Sequence, residues 1–164
     1  MKKLRTVILM FVVLLSVTPS TALAGGIIHG TAWLTTDDGT TFYADWLRIL
    51  LVKEKIAVPL LPDLNAMDKF ERMNTIRTAH MDFYIQARSK LAEDGFVIDT
   101  KMTTPEGAFF FDNVDPGAYF ILVTFPAMIR TYKVAWQIPV TIRENETVAV
   151  ELNNSNMVLP TYSR

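Results

Sequence analysis

Hydrophobic residues recur along this chain with two different periods. Ile28, Gly30, Ala32 and Leu34 alternate with His29, Thr31 and Trp33, the spacing of two that sends successive side chains to opposite faces of a strand. Residues 35–40 read as a turn, because Asp38-Gly39 tolerates the positive φ of a tight reversal. A second apolar stretch spans 46–52, and Pro59 and Pro62 close this region, since proline cannot donate to a central ladder. Over 63–94 the spacing changes to threes and fours, with Leu64, Met67, Phe70, Met73, Ile76, Phe83, Tyr84, Ala87 and Leu91 apolar and charges between them. Asp63 or Asn65 is placed to cap the start of this helix, and Gly95 its end. A helix of about 28 residues is roughly 42 Å long, against about 20 Å for a typical strand. One end therefore overhangs the body, or a break near Asn74 and Thr75 folds the segment into a hairpin.

Period two returns over 96–104, 108–114, 118–125, 132–142 and 147–152. Pro105-Glu106-Gly107 and Asp115-Pro116-Gly117 are turn sequences, and Arg143-Glu144-Asn145-Glu146 is a polar reversal. Phe109, Phe111, Val114, Tyr119, Ile121 and Val123 are expected to face one way and build the core. Short strands at regular spacing indicate a mainly β, antiparallel sandwich, with 153–164 a polar, weakly ordered tail.

The stretch Thr103-Thr104-Pro105-Glu106-Gly107-Ala108-Phe109-Phe110-Phe111-Asp112-Asn113-Val114-Asp115-Pro116-Gly117-Ala118-Tyr119 resembles the signature of carboxypeptidase regulatory-like domains. Ile28-x-Gly30-x-Ala32, Leu47-x-Ile49-x-Leu51 and Val148-x-Val150-x-Leu152 fit the same pattern. The resemblance implies a seven-stranded antiparallel, immunoglobulin-like or prealbumin-like (transthyretin-like) sandwich without catalysis, used as a folding, spacing or binding module. The helical segment departs from the family, as an insertion between the second and third strands.

The N-terminus stands apart. Lys2, Lys3 and Arg5 precede an apolar run over 7–17, and Pro19, Ala22 and Ala24 follow, the pattern of a secretory signal peptide cleaved near Ala24-Gly25. The run is too short for the roughly 20 apolar residues of a membrane span. The expected organisation is a signal peptide over 1–24, a sandwich domain over 25–152 and the tail. The expected location is periplasmic or extracellular.

Composition narrows the chemistry. The 164 residues are 50% hydrophobic, enough for a core, and include no cysteine and two histidines, His29 and His80. Disulfides, thiolate metal sites and multi-histidine metal centres are excluded, and no cofactor is expected. Without Lys2, Lys3 and Arg5, 13 of the 16 basic residues remain against 17 acidic ones, which gives no footprint for nucleic acid.

His29 raises a hydrolase alternative, because 5-hydroxyisourate hydrolases of the transthyretin fold carry a first-strand histidine. Their Tyr-Arg-Gly-Ser ending is not matched by Pro160-Thr161-Tyr162-Ser163-Arg164. Asp37-Asp38 and Asp112-x-x-Asp115 lack the spacing of a calcium loop and read as turn residues. Trp33 and Trp46 point away from the core if Ala32, Leu34, Leu47 and Ile49 point into it. They form either a sugar-stacking platform or, the favoured reading, a surface that the helix covers. Phe70 and Met73 at one end of the helix, or Phe83, Tyr84 and Leu91 at the other, remain for contact with an envelope protein or a second copy. The favoured function is thus a non-catalytic interaction module, with a carbohydrate- or small-ligand-binding module as the alternative.

Overall fold

A computed structural model describes residues 25–163, so the expected signal peptide lies outside the described residues. The protein is mainly β, with one α-helix laid on the outside of a two-sheet sandwich. In the first sheet β1 (Gly26–Thr35) is central. It pairs with β2 (Thr41–Tyr43), with β5 (Ala108–Val114) and, in parallel, with β10 (Thr147–Leu152). The second sheet runs β4-β3-β6-β9, all antiparallel, from β3 (Arg48–Val52), β4 (Val97–Met102), β6 (Gly117–Val123) and β9 (Trp136–Ile142). A small third sheet joins β7 (Met128–Ile129), β8 (Tyr132–Lys133) and β11 (Tyr162–Ser163).

Eleven strands are thus present among the described residues where seven were expected. The helix follows the third strand rather than the second, because a three-residue β2 returns along β1 after the Asp38-Gly39 turn. Asp38 holds that turn by accepting from Thr36 Oγ1 at 2.6 Å and from the Thr40 amide at 3.0 Å. Those two hydrogen bonds lower its pKa, the first the larger cause.

Between the sheets lie Ile28, Ala32, Leu34, Ile49, Leu51, Phe109, Phe111, Ile121, Val123 and Trp136, all buried. Val114 reaches the same core although it is three positions from Phe111. One extra residue on β5 shifts the register opposite Gly26 and Ile28, and Asn113 takes φ 52° to accommodate it. Tyr119 closes this corner by donating to the Asp115 carbonyl at 2.9 Å.

A second core lies outside the β3–β6 sheet. Leu50, Val52, Phe96, Leu122 and Ala135 meet Ala79, Phe83 and Ala87 of α1 (Lys69–Leu91). The helix is continuous through Asn74 and Thr75, with 23 residues instead of the expected 28. Asp68 caps it, accepting from the Phe70 and Glu71 amides, while Asp63 caps a separate 3-10 turn, Leu64–Ala66. At about 1.5 Å per residue α1 is roughly 34 Å long, and its buried residues begin only at Ile76. Gly95, with φ 76°, lies in the turn beyond the helix rather than directly at its end.

The expected loose tail is instead packed. Leu159 is buried, Met157 bridges to Trp136, and β11 pairs with β8. Its polar look comes from Asn153, Asn154 and Asn156, whose side chains hold the chain locally. Asn154 Oδ1 accepts from the Thr35 amide at 2.8 Å, and Asn156 Nδ2 donates to the Glu151 carbonyl at 2.8 Å.

Candidate functional site

The two histidines do not form a site together. His29 is exposed on the outer face of the β1 sheet, opposite Phe110 in register. His80 is buried in α1, on the outer side of the other sheet. Its Nε2 donates to the Pro160 carbonyl at 2.8 Å, and its ring meets Tyr162 edge-on at 5.1 Å. Burial lowers the His80 pKa, assisted by the charge of Lys133 and opposed by the bond to Pro160. Among the described residues no group of three or more His, Cys, Asp or Glu is placed to hold a metal ion.

Two surfaces stand out instead. The first is the solvent side of α1, where Phe70 (68% exposed), Met73 (39%), Met81 (41%) and Ile85 (55%) are open. At about 100° per residue they fall, with Arg77 and Arg88, in one arc of roughly 120°. Ile76, Ala79, Phe83 and Ala87, which face the sheet, centre about 130° away on the same count. The helix therefore has two apolar faces, of which one is covered.

The second surface is the end of the sandwich where β1 meets β2 and β6 leads to β7. The Ala44–Leu47 connection is pinned there by Thr103, a buried residue. The Thr103 hydroxyl donates to the Ala44 carbonyl and accepts from the Leu47 amide at 2.8 Å, and the Thr103 amide donates to the Leu47 carbonyl at 2.9 Å. Ala44 N–H is held by Ala32 at 2.9 Å. Between these anchors Asp45 and Trp46 project outward, and Trp46 is 70% exposed with φ 51°. A left-handed backbone costs an L-residue roughly 1–2 kcal/mol. Exposure removes the burial that would offset it. Trp46 lines a cleft of about 530 Å³ with Arg48, Met102, Thr124, Pro126 and Met128. Thr124 is buried and its Oγ1 has no hydrogen-bond partner, which for a buried hydroxyl costs about 1–3 kcal/mol. A neighbouring cleft of about 530 Å³ includes Tyr43, Asp45, Pro105, Met128 and Arg130.

Of the residues expected to form a contact surface, Phe70, Met73 and Trp46 are exposed. Trp33 is half-buried beside Tyr43 on the open face of the first sheet. Phe83 is fully buried and is corrected out of that surface, because it is the central anchor of α1 on the sheet. Tyr84, with its ring tilted against Phe125 at 5.3 Å, and Leu91 are half-buried against the body. The helix covers Leu50 and Val52, and not the expected Trp46. Met81, Ile85, Asp45, Thr103 and Thr124 were not singled out from the sequence. Helical angles alone separate the Met81–Ile85 face from the Phe83 face.

No family model matches the chain, and no curated protein matches it significantly. Among solved structures it is similar to a candidate carbohydrate-binding protein from Pseudomonas aeruginosa, at 17% identity and TM-score 0.47, covering 80% of this chain and 90% of that one. It is also similar to a minor pilin of Streptococcus agalactiae, at 14% identity and TM-score 0.46, covering 80% of this chain and 44% of that one. A third is a major pilin subunit of Bacillus cereus, at 17% identity and TM-score 0.40, covering 82% of this chain and 30% of that one. The chain thus spans less than half of either pilin. All three TM-scores are below 0.5, so the functional reading rests on the geometry above. No helix among the described residues is long and apolar enough to cross a membrane.

Proposed function

We propose that this protein is an exported, non-catalytic binding module of the bacterial envelope that docks a partner protein on the solvent face of α1. The carrying observation is the exposed row Phe70, Met73, Met81 and Ile85. Such a row, at helical spacing on a helix already anchored by its opposite face, fits an apolar groove of another protein at little conformational cost. Arg77 and Arg88 are the only charged residues in the row, beside the neutral Asn74, so the complementary groove carries acidic residues at its rim. Export is supported by the basic, apolar, small-residue order of the first 24 residues. A non-catalytic role is supported by the separation of His29 from His80 on opposite outer sides of the sandwich.

The test is photo-crosslinking in intact cells, with the reactive group at Met81 and, as a control, at Thr147 on the other sheet. A discrete heterologous adduct from position 81, absent from position 147 and abolished by Ile85→Glu, is expected. Lack of any adduct rejects the surface. An adduct with a second copy of the chain replaces the partner protein by self-association.

A further inference from the structure

We infer that the loop end of the sandwich is a groove for an oligosaccharide, in which Trp46 stacks on the apolar face of a pyranose ring. This is a second site, independent of the α1 surface. Recognition of a sugar needs a flat apolar plate for the axial C–H face and donors and acceptors around it for the equatorial hydroxyls. Trp46 and Tyr43 supply exposed aromatic plates, 70% and 54% open. Asp45 supplies a hydroxyl acceptor, and Arg48 and Arg130 supply donors on either side of Met128, which lines both clefts. Two adjoining clefts, each within the size range of small-ligand pockets, call for a ligand longer than one ring.

Three further observations point to a built site. The plate is held ready, since Thr103 ties both ends of the connection that carries Asp45 and Trp46. The positive φ of Arg130, 57°, is what the two-residue β7–β8 turn requires, whereas Trp46 keeps an exposed indole on a left-handed backbone. Strained non-glycine backbone of this kind clusters at ligand sites. Thr124 lines the same cleft, with its buried Oγ1 left without a hydrogen-bond partner. The mixed charge of Asp45 with Arg48 and Arg130 favours a neutral polyhydroxylated ligand over a phosphate or nucleic acid.

The experiment titrates the protein from Gly25 to Arg164 with cellohexaose, xylohexaose and chitohexaose while following the three tryptophan indole N–H signals by NMR. At least one saccharide is expected to shift Trp46 while leaving buried Trp136 in place. Trp46→Ala then weakens binding at least about tenfold, Trp46→Phe by less, and His29→Ala, on the exposed outer face of β1, leaves it unchanged. Thr103→Val is expected to weaken binding without touching the sugar, and Thr103→Ser to restore it, marking Thr103 as a positioning residue. Three results overturn the assignment. One is no movement of Trp46 with any of the three sugars at millimolar concentration. Another is binding that survives Trp46→Ala. The third is a Trp46 shift produced by a proline-rich peptide and by no saccharide.

Discussion

The Nε2 of His80 donates to the carbonyl of Pro160 at 2.8 Å, joining the middle of α1 to the last turn before the C-terminal strand. The ring is buried and kept neutral, with its pKa lowered chiefly by desolvation. The folded state therefore binds fewer protons at His80 than the unfolded chain does. Stability linked to this group is whole above the ordinary histidine pKa and is lost as pH falls below it. Thermal melts are expected to fall between pH 7.5 and pH 5.5 by more in the native sequence than in His80→Gln, where the neutral amide removes the titration. Equal pH slopes for the two proteins would reject the assignment.

Phe83 and Phe70 lie on the same helix and separate its two faces. Phe83 is fully buried against Leu50, Val52 and Leu122, whereas Phe70 is 68% exposed. Phe83→Ala is expected to cost about 3–5 kcal/mol, because the cavity opens between two packed elements. Phe70→Glu is expected to change stability by less than about 0.5 kcal/mol, as a surface substitution. Denaturant unfolding of both variants checks the contrast. A large loss in Phe70→Glu would mean that the first turn is packed.

Much of the sandwich was legible in the sequence, and the reason is local. Phe109 and Phe111, and Tyr119 and Ile121, keep a spacing of two although Phe110 and Phe120 between them are also apolar, and glycine-containing turns punctuate the pattern around these strands. Strands of two or three residues, such as β7, β8 and β11, have no period to read. The packed tail was hidden because its partners are far away in sequence, as with Trp136 Nε1 donating to the Asn153 carbonyl at 2.9 Å. On α1, spacing by threes and fours merged Phe70 with Phe83, although a turn angle of about 100° per residue puts them on different faces. Trp46 was legible as outward-facing. Its left-handed backbone, and the tie of the adjacent Leu47 to Thr103 across 56 residues of sequence, were not.

Gly30 and Gly39 give a contrast between crowding and backbone freedom. A Cβ at Gly30 would lie 2.3 Å from the Phe109 ring and 2.4 Å from the Val150 carbonyl oxygen, where the sheet backbone has no room to retreat. Gly30→Ala is expected to cost about 1–3 kcal/mol or more through overpacking. At Gly39 the added Cβ meets nothing within 4 Å, and only the φ of 84° resists it. Gly39→Ala is therefore expected to cost about 1–2 kcal/mol, from the left-handed conformation alone. Chemical denaturation orders the two. A structure with room at Gly30 would invert them.

Trp46 holds an unfavourable backbone with no burial in return, so its replacement separates stability from binding. Trp46→Gly removes the left-handed penalty and is expected to stabilise the fold, by up to about 1 kcal/mol after the added chain entropy of glycine is set against it. The same change removes the aromatic plate and is expected to abolish the saccharide-dependent shift. Trp46→Ala loses the plate but keeps the strain, so its melting temperature should stay near that of the native sequence. Unfolding curves for the native, alanine and glycine forms, recorded beside one sugar titration, test both halves. A glycine variant less stable than the alanine one would show that the left-handed backbone carries no net penalty, and an alanine variant well below the native sequence would show that the indole packs in the cleft more firmly than its exposure indicates.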